Sequence, residues 1–249
     1  MKIDISEWKA KETNPPAPRI LIYGDKGSGK STFCKSVPNC VVLDTEGGAQ
    51  WPMPSDVLRP DTNVVSPPLL TWKEQIGALS EAPFGDDSKK FICIDSLDWM
   101  MGALEKSVAG VSPSNGGSMT KTLNQAYGGY GNGKQVMMNY VTHGLQSRVD
   151  SLRARGIGVV MTAHLAWYTG KDESGFAVDR LGPAMRRDIS EKIEEWVDFI
   201  GLVRKGANGN RVLCMEQTGS VTAKHRVAVP SEIDFNFSAL MGAIYGGKK

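Results

Sequence analysis

Short apolar runs alternate along this chain with stretches in which apolar residues recur every three or four positions. Strand formers fill residues 19–23, 40–44, 90–95 and 157–163, so each of these runs predicts a strand. Helical spacing follows them at 32–37, 72–79, 97–108 and 136–155. In the last of these, Met137, Val141, Leu145, Val149 and Leu152 share one face and Gly156 supplies a C-terminal stop. Further on, the pattern predicts a short helix at 189–195, a strand at 196–204, and a hairpin turn at 206–210 into 211–217. A β segment at 221–229 and a helix at 237–245 complete it. Strands alternating with helices imply an α/β fold with a mostly parallel sheet flanked by helices, and the late hairpin adds an antiparallel C-terminal extension. Pro15, Pro16 and Pro18 mark residues 1–18 as an N-terminal arm, on which Ile5 and Trp8 are the apolar pair. Residues 19–249 read as one domain. Two long polar stretches, 110–135 and 165–188, read as loops.

Charge narrows the partners. Lys and Arg (29) nearly balance Asp and Glu (27), so any nucleic-acid contact must come from a local basic patch. No apolar run reaches the roughly 18 residues of a spanning helix, and the first residues lack the apolar core of a secretory signal. The expectation is a cytoplasmic protein without a membrane partner. Cys34, Cys40, Cys93 and Cys214 form no C-x-x-C pair, and His143, His164 and His225 are scattered. Buried, reduced thiols are expected and a zinc site is not.

The chemistry begins between the first strand and helix. Gly24, Asp25, Lys26, Gly27, Ser28, Gly29, Lys30, Ser31 and Thr32 contain the phosphate-loop pattern G-x-x-x-x-G-K-[ST]. Its glycines let backbone N–H groups turn inward as an anion cradle, with the N-terminus of the following helix behind them. Lys30 would bridge the β- and γ-phosphates of ATP, and Ser31 would offer a hydroxyl to Mg²⁺. Asp95, at the end of an apolar strand, is the second candidate ligand for Mg²⁺. The next residue is Ser96 rather than Glu, so the water-activating carboxylate must come from elsewhere. Glu46, at the end of the second strand, is the first candidate and Asp44 the second. Thr162-Ala163-His164 ends the fourth strand, where His164 could sense the γ-phosphate or simply hydrogen-bond within its loop.

Together the segments GDKGSGKS, VVLDTEGG, FICIDSLD, GIGVVMTAHL and TAKHR resemble the RecA-like ATPases. The similarity extends over about residues 19–229. It is greatest to the phage-type ATPases that assist single-strand annealing and recombination. The resemblance implies an oligomer, a ring or filament, in a bacterial host cell. In it, Lys224 and Arg226 on a late β segment would reach a neighbour's γ-phosphate in trans. Residues i and i+2 of a strand face one side, so both cations could converge on one phosphate. It also implies DNA-binding loops after the third and fourth core strands. There, Lys121, Tyr127, Tyr130 and Lys134 in the first loop would supply stacking faces and cations for single-stranded DNA. Trp167, Tyr168, Lys171, Arg180, Arg186 and Arg187 would do so in the second. A single-strand-binding protein is a further implied partner. The chain lacks the extra DNA-binding domains of the large recombinases, which points to annealing rather than full strand exchange. Two rival readings stand beside this one. A small-molecule kinase would use Arg180, Arg186 and Arg187 as a lid, and a non-catalytic annealing protein would use nucleotide only to set its assembly.

Overall fold

A computed structural model describes residues 15–52, 61–82, 88–110, 122–171 and 174–246. Most of the N-terminal arm, with Ile5 and Trp8, and Lys121 lie outside these residues. The expected parallel sheet is present. β1 (Arg19–Gly24) is central and pairs in parallel with β5 (Gly158–Lys171) on one side and β7 (Phe199–Lys205) on the other. Beyond β5 come β4 (Phe91–Asp95), β2 (Cys40–Asp44) and the short edge strand β3 (Asn63–Val64), all parallel. Beyond β7 the predicted antiparallel extension is β8 (Arg211–Cys214) followed by β9 (Glu232–Asp234).

All six residues of β1 are buried, as a parallel strand covered on both faces requires. The pleat sends alternate residues to opposite cores. Leu21 and Tyr23 face one core, with α2 (Trp72–Glu81), α3 (Leu97–Gly110) and α6 (Arg187–Trp196) over it. Ile20 and Ile22 face the other, under α1 (Lys30–Ser36) and α7 (Phe237–Tyr245). Cys34, Cys40 and Cys93 are free and buried in this second core, with Cys40 Sγ 3.3 Å from Cys93 Sγ, as the sequence led us to expect.

Three elements differ from expectation. The single helix over 136–155 is α4 (Asn132–Asn139), a π-helical stretch Tyr140–Gln146, and α5 (Ser147–Ala154). Met137, Val141, Leu145 and Val149 are spaced by four residues each, and all are buried. In a pure α-helix that spacing drifts around the axis, whereas the wider i→i+5 turn keeps them on one face. The polar loop at 165–188 is instead an antiparallel ribbon. β5 runs past the sheet to Lys171 and pairs with β6 (Ala177–Pro183), Leu165 opposite Pro183 and Lys171 opposite Ala177. The strand formers Trp167, Tyr168 and Thr169 carry the strand onward. The segment at 221–229 makes only single bridges, Val221 with Leu181 and Lys224 with Ile200.

The N-terminal ends of the strands are held by charge. Buried Asp198 accepts hydrogen bonds from Arg19 N, Nε and Nη2 at 3.0–3.2 Å and from Arg226 Nε at 2.8 Å, and Arg153 lies 3.2 Å away. Burial works against the carboxylate, but the hydrogen bonds and charge of Arg19 outweigh it and hold Asp198 below the usual carboxylate range. Replacing Asp198 with Ala would remove the buried anionic partner of Arg19 and leave it the half-exposed Asp150, and should cost about 3–5 kcal/mol in denaturant unfolding. Because the folded carboxyl titrates lower than the unfolded one, its contribution is complete above the unfolded value and is lost as pH falls through the folded one. The gap in stability between wild type and Asp198→Asn should therefore narrow below about pH 4.

Candidate functional site

The phosphate loop turns at the C-terminal end of β1. Gly27 and Gly29 have φ of +69° and +94°, a region that disfavours any other residue. Lys30 Nζ is held by the loop itself, donating to Gly24 O at 2.8 Å, Asp25 O at 2.9 Å and Ser28 Oγ at 3.4 Å. Burial pulls the Lys30 ammonium below its ordinary range, while Asp95, Asp98 and Glu46 oppose that shift. A cleft of about 640 Å³ opens above the loop. Residues 26–32 line it with Glu46, Gly48, Asp95, Trp99, His164 and Arg211.

Parallel register assembles this cleft. Asp44 is opposite Asp95, and Gly24 is opposite His164, so the last residues of β1, β2 and β4 lie level with His164 within β5. Buried Asp95 accepts from Thr162 Oγ1 at 2.6 Å, which orients its carboxylate. Ser31 and Asp95 both line or border the same space as Lys30. Among the described residues, no group of three His, Cys, Asp or Glu side chains is placed to hold a metal alone. One hydroxyl and one carboxylate fit Mg²⁺, which completes its shell with water and phosphate oxygens.

Asp44 and Glu46 separate clearly. Asp44 is fully buried and accepts from Glu46 N (3.1 Å), Gly47 N (2.7 Å), Ala49 N (3.0 Å) and Gln50 Nε2 (3.0 Å). With its oxygens committed to the turn, it shapes the loop and is not free to meet water. Glu46 is aimed into the cleft by that turn, with a third of its side chain exposed. Its Oε2 accepts from Ser96 Oγ at 3.4 Å, and its Oε1 lies 4.0 Å from His164 Nε2. Burial pushes the Glu46 carboxyl up, against the opposing pull of His164.

His164 is held from behind. Asp98 Oδ2 lies 2.8 Å from Nδ1 and Asp98 Oδ1 accepts from the His164 backbone N–H at 3.1 Å. This hydrogen bond raises the imidazole above its ordinary range and leaves Nε2 facing Glu46. Asp98, on the first turn of α3, escaped the sequence reading. So did Trp99, 48% exposed beside the cleft, and Arg211, whose Nη2 donates to Gly27 O at 3.1 Å. Only the strand–helix junction after Asp95 hinted at the first two.

Other expected site residues lie elsewhere. Lys224 pairs with Ile200 near the start of β7, and Arg226 meets Asp198 at the N-terminal ends of the strands. That end is about 16 Å from the phosphate loop, five strand steps of ~3.3 Å. Lys224 Nζ donates to Glu194 O (2.8 Å) and Glu195 O (2.6 Å), capping the last carbonyls of α6. The expected strand face carrying both cations is thus not formed within the chain. The segment is not a strand, and each cation has a partner within the chain.

The aromatic and basic residues divide as well. Tyr168 is pinned, its hydroxyl bonded to Pro183 O, Met185 O and Met185 N, with Arg187 stacked 5.4 Å above its ring. Arg187 also pairs with Glu191 and Glu194, Arg186 with Asp188, and Arg180 donates to Gly219 O. These side chains therefore brace the ribbon and α6, and do not form the free arginine lid of a small-molecule kinase. Trp167 is 67% exposed, Tyr130 fully exposed, and Tyr127 and Lys134 exposed as well. Lys171 ends β5.

A family model described as an AAA domain matches residues 17–227. No curated protein matches the chain. Gly29→Ala should test the loop's geometry. Its φ disfavours a side chain, and an ideal Cβ would lie 3.0 Å from Arg211 Nη1. A loss of about 1–3 kcal/mol in thermal unfolding is expected, with weakened binding of MgATP in calorimetric titration.

Proposed function

We propose that this chain, which belongs to the AAA domain family, is a P-loop ATPase that hydrolyses ATP at the 24–32 cleft and couples turnover to single-stranded DNA. One observation carries the reading. Asp95 and His164 lie on β4 and β5, Lys30 and Glu46 follow β1 and β2, and all four meet in one cleft. That arrangement suits phosphoryl transfer, which needs positioning and charge stabilisation more than covalent chemistry from the protein.

In this reading the backbone N–H groups of the loop cradle the phosphates. Lys30 exchanges the carbonyls of Gly24 and Asp25 for β- and γ-phosphate oxygens. Ser31 and Asp95 hold Mg²⁺, which supplies charge neutralisation at the phosphates when bound. Glu46 takes a proton from water as the water oxygen attacks the γ-phosphorus and the bond to the β–γ bridging oxygen breaks, releasing ADP. Ser96 and His164 keep the Glu46 carboxylate in line. Asp98 holds the His164 ring so that Nε2 faces the reacting end of the site.

DNA coupling has a mechanical basis. β5 carries Thr162 and His164 at the cleft and runs without a break into exposed Trp167. A hydrogen-bonded ribbon transmits a shift at His164 more directly than a polar loop would. Trp167 and Tyr130 offer faces on which bases stack. A role in annealing or recombination, assembly into a ring or filament, and a single-strand-binding partner extend this proposal. Assembly is read by solution mass with and without ATP and an oligonucleotide.

Glu46→Gln should bind MgATP with near wild-type affinity and lower kcat about a hundredfold or more. Unchanged turnover would move the general base elsewhere. Wild-type turnover should rise on adding single-stranded oligonucleotide, and Trp167→Ala should weaken oligonucleotide binding about tenfold. Equal turnover with and without DNA, and no shift on a gel, would reject the coupling.

A further inference from the structure

Arg211 has no part in any sequence motif of the site, yet it lies on the phosphate loop. It opens β8, directly after the 206–210 turn, and pairs with Lys205 at the end of β7. The hairpin folds over the loop so that Nη2 donates to Gly27 O at 3.1 Å, and Nη1 lies 3.0 Å from where a Cβ on Gly29 would be. The guanidinium is thus in contact with both loop glycines of positive φ.

Its bonding is incomplete. A guanidinium has five N–H donors, and among the described residues Arg211 directs one hydrogen bond, to a single neutral carbonyl. Among the described residues no carboxylate lies within ion-pair distance of it, whereas Arg19, Arg153, Arg186, Arg187, Arg204 and Arg226 all have one. Arg211 is exposed, and open space borders it on two sides. One is the phosphate cleft, and the other is an adjoining apolar cleft of about 470 Å³ that includes Leu165, Leu202 and Val203. An exposed cation without an ionic partner among the described residues, lying on a phosphate-loop turn, is suited to a multiply charged anion, which a guanidinium can grip with two parallel bonds.

We propose that Arg211 is a further phosphate-binding residue of this site and acts in cis. With a nucleoside triphosphate bound, its guanidinium leaves Gly27 O and pairs with phosphate oxygens, drawing the β7–β8 hairpin onto the nucleotide. The inference rests on reading residues 24–32 as the phosphate loop. It places a cation in each chain's own cleft, where Lys224 and Arg226 do not reach.

Calorimetric titration of wild type, Arg211→Ala and Arg211→Gln with MgATP and with magnesium tripolyphosphate tests it. Gln can still donate to Gly27 O but carries no charge. Both variants should bind both ligands about tenfold or more weakly than wild type, with unchanged melting temperature in the absence of ligand. If Arg211→Gln binds like wild type, the residue only braces the loop and the proposal is overturned. Undiminished binding by Arg211→Ala overturns it too. A loss confined to MgATP, with tripolyphosphate unaffected, shifts the contact to the nucleoside and also refutes it. Failure of the wild type to bind either ligand would defeat the phosphate-loop reading itself, and this proposal with it.

Discussion

The parallel register of β2, β4, β5 and β1 is the constraint from which the site follows. Strands hydrogen-bonded in this order reach the cleft at nearly the same level, Asp44 beside Asp95 and His164 beside Gly24, although β5 continues beyond it. Each strand then delivers one group to a shared edge, and each group is distant from the others in sequence. Brought together, Asp95, Glu46, His164 and Lys30 would repel or neutralise one another without fixed partners. The structure supplies them. Thr162 holds Asp95, Ser96 and His164 hold Glu46, and Asp98 holds His164. The cross-link between Thr45 Oγ1 and the backbone of Ser96 fixes the two loops that carry these groups, with bonds of 2.7 and 2.9 Å. Such a pre-set field suits a reaction whose barrier is lowered mainly by oriented charge.

The two ends of the sheet use buried carboxylates differently. Among the described residues Asp44 has no ionic partner; it is satisfied by three backbone N–H groups and one amide, which makes it a turn former. Asp198 is surrounded by Arg19, Arg153 and Arg226 and anchors the opposite end. One buried charge shapes a loop for chemistry and the other secures the strands behind it. Placing Arg226 in the second group changes its meaning, since its nearest anion is a structural carboxylate of its own chain.

Rigidity also distinguishes the parts proposed to meet DNA. A polar segment following a core strand suggests a loop that orders only on binding. Here the strand continues, and β5 and β6 form a ribbon braced at its base by Tyr168 and Arg187. Exposed Trp167 therefore sits on a preformed platform connected through the backbone to His164. Binding to a platform avoids most of the ordering cost that a free loop would incur.

The sequence by itself determined the strand–helix alternation, the sheet class, the phosphate loop, and the pairing of Asp95 with a strand end. Each depends on periodicity or on contiguous residues. Glu46 was legible for the same reason, because strand ends in a parallel sheet are where ligands meet. What required the tertiary structure was every decision between chemically equivalent residues. Asp44 and Glu46 are two positions apart, and only the turn shows which carboxylate is already saturated. Lys224, Arg226 and Arg187 look as available in a string of letters as Arg211. Their partners lie on other elements, at sequence separations no local pattern encodes, and a cation's role is set by which anion or carbonyl the fold brings within about 3 Å.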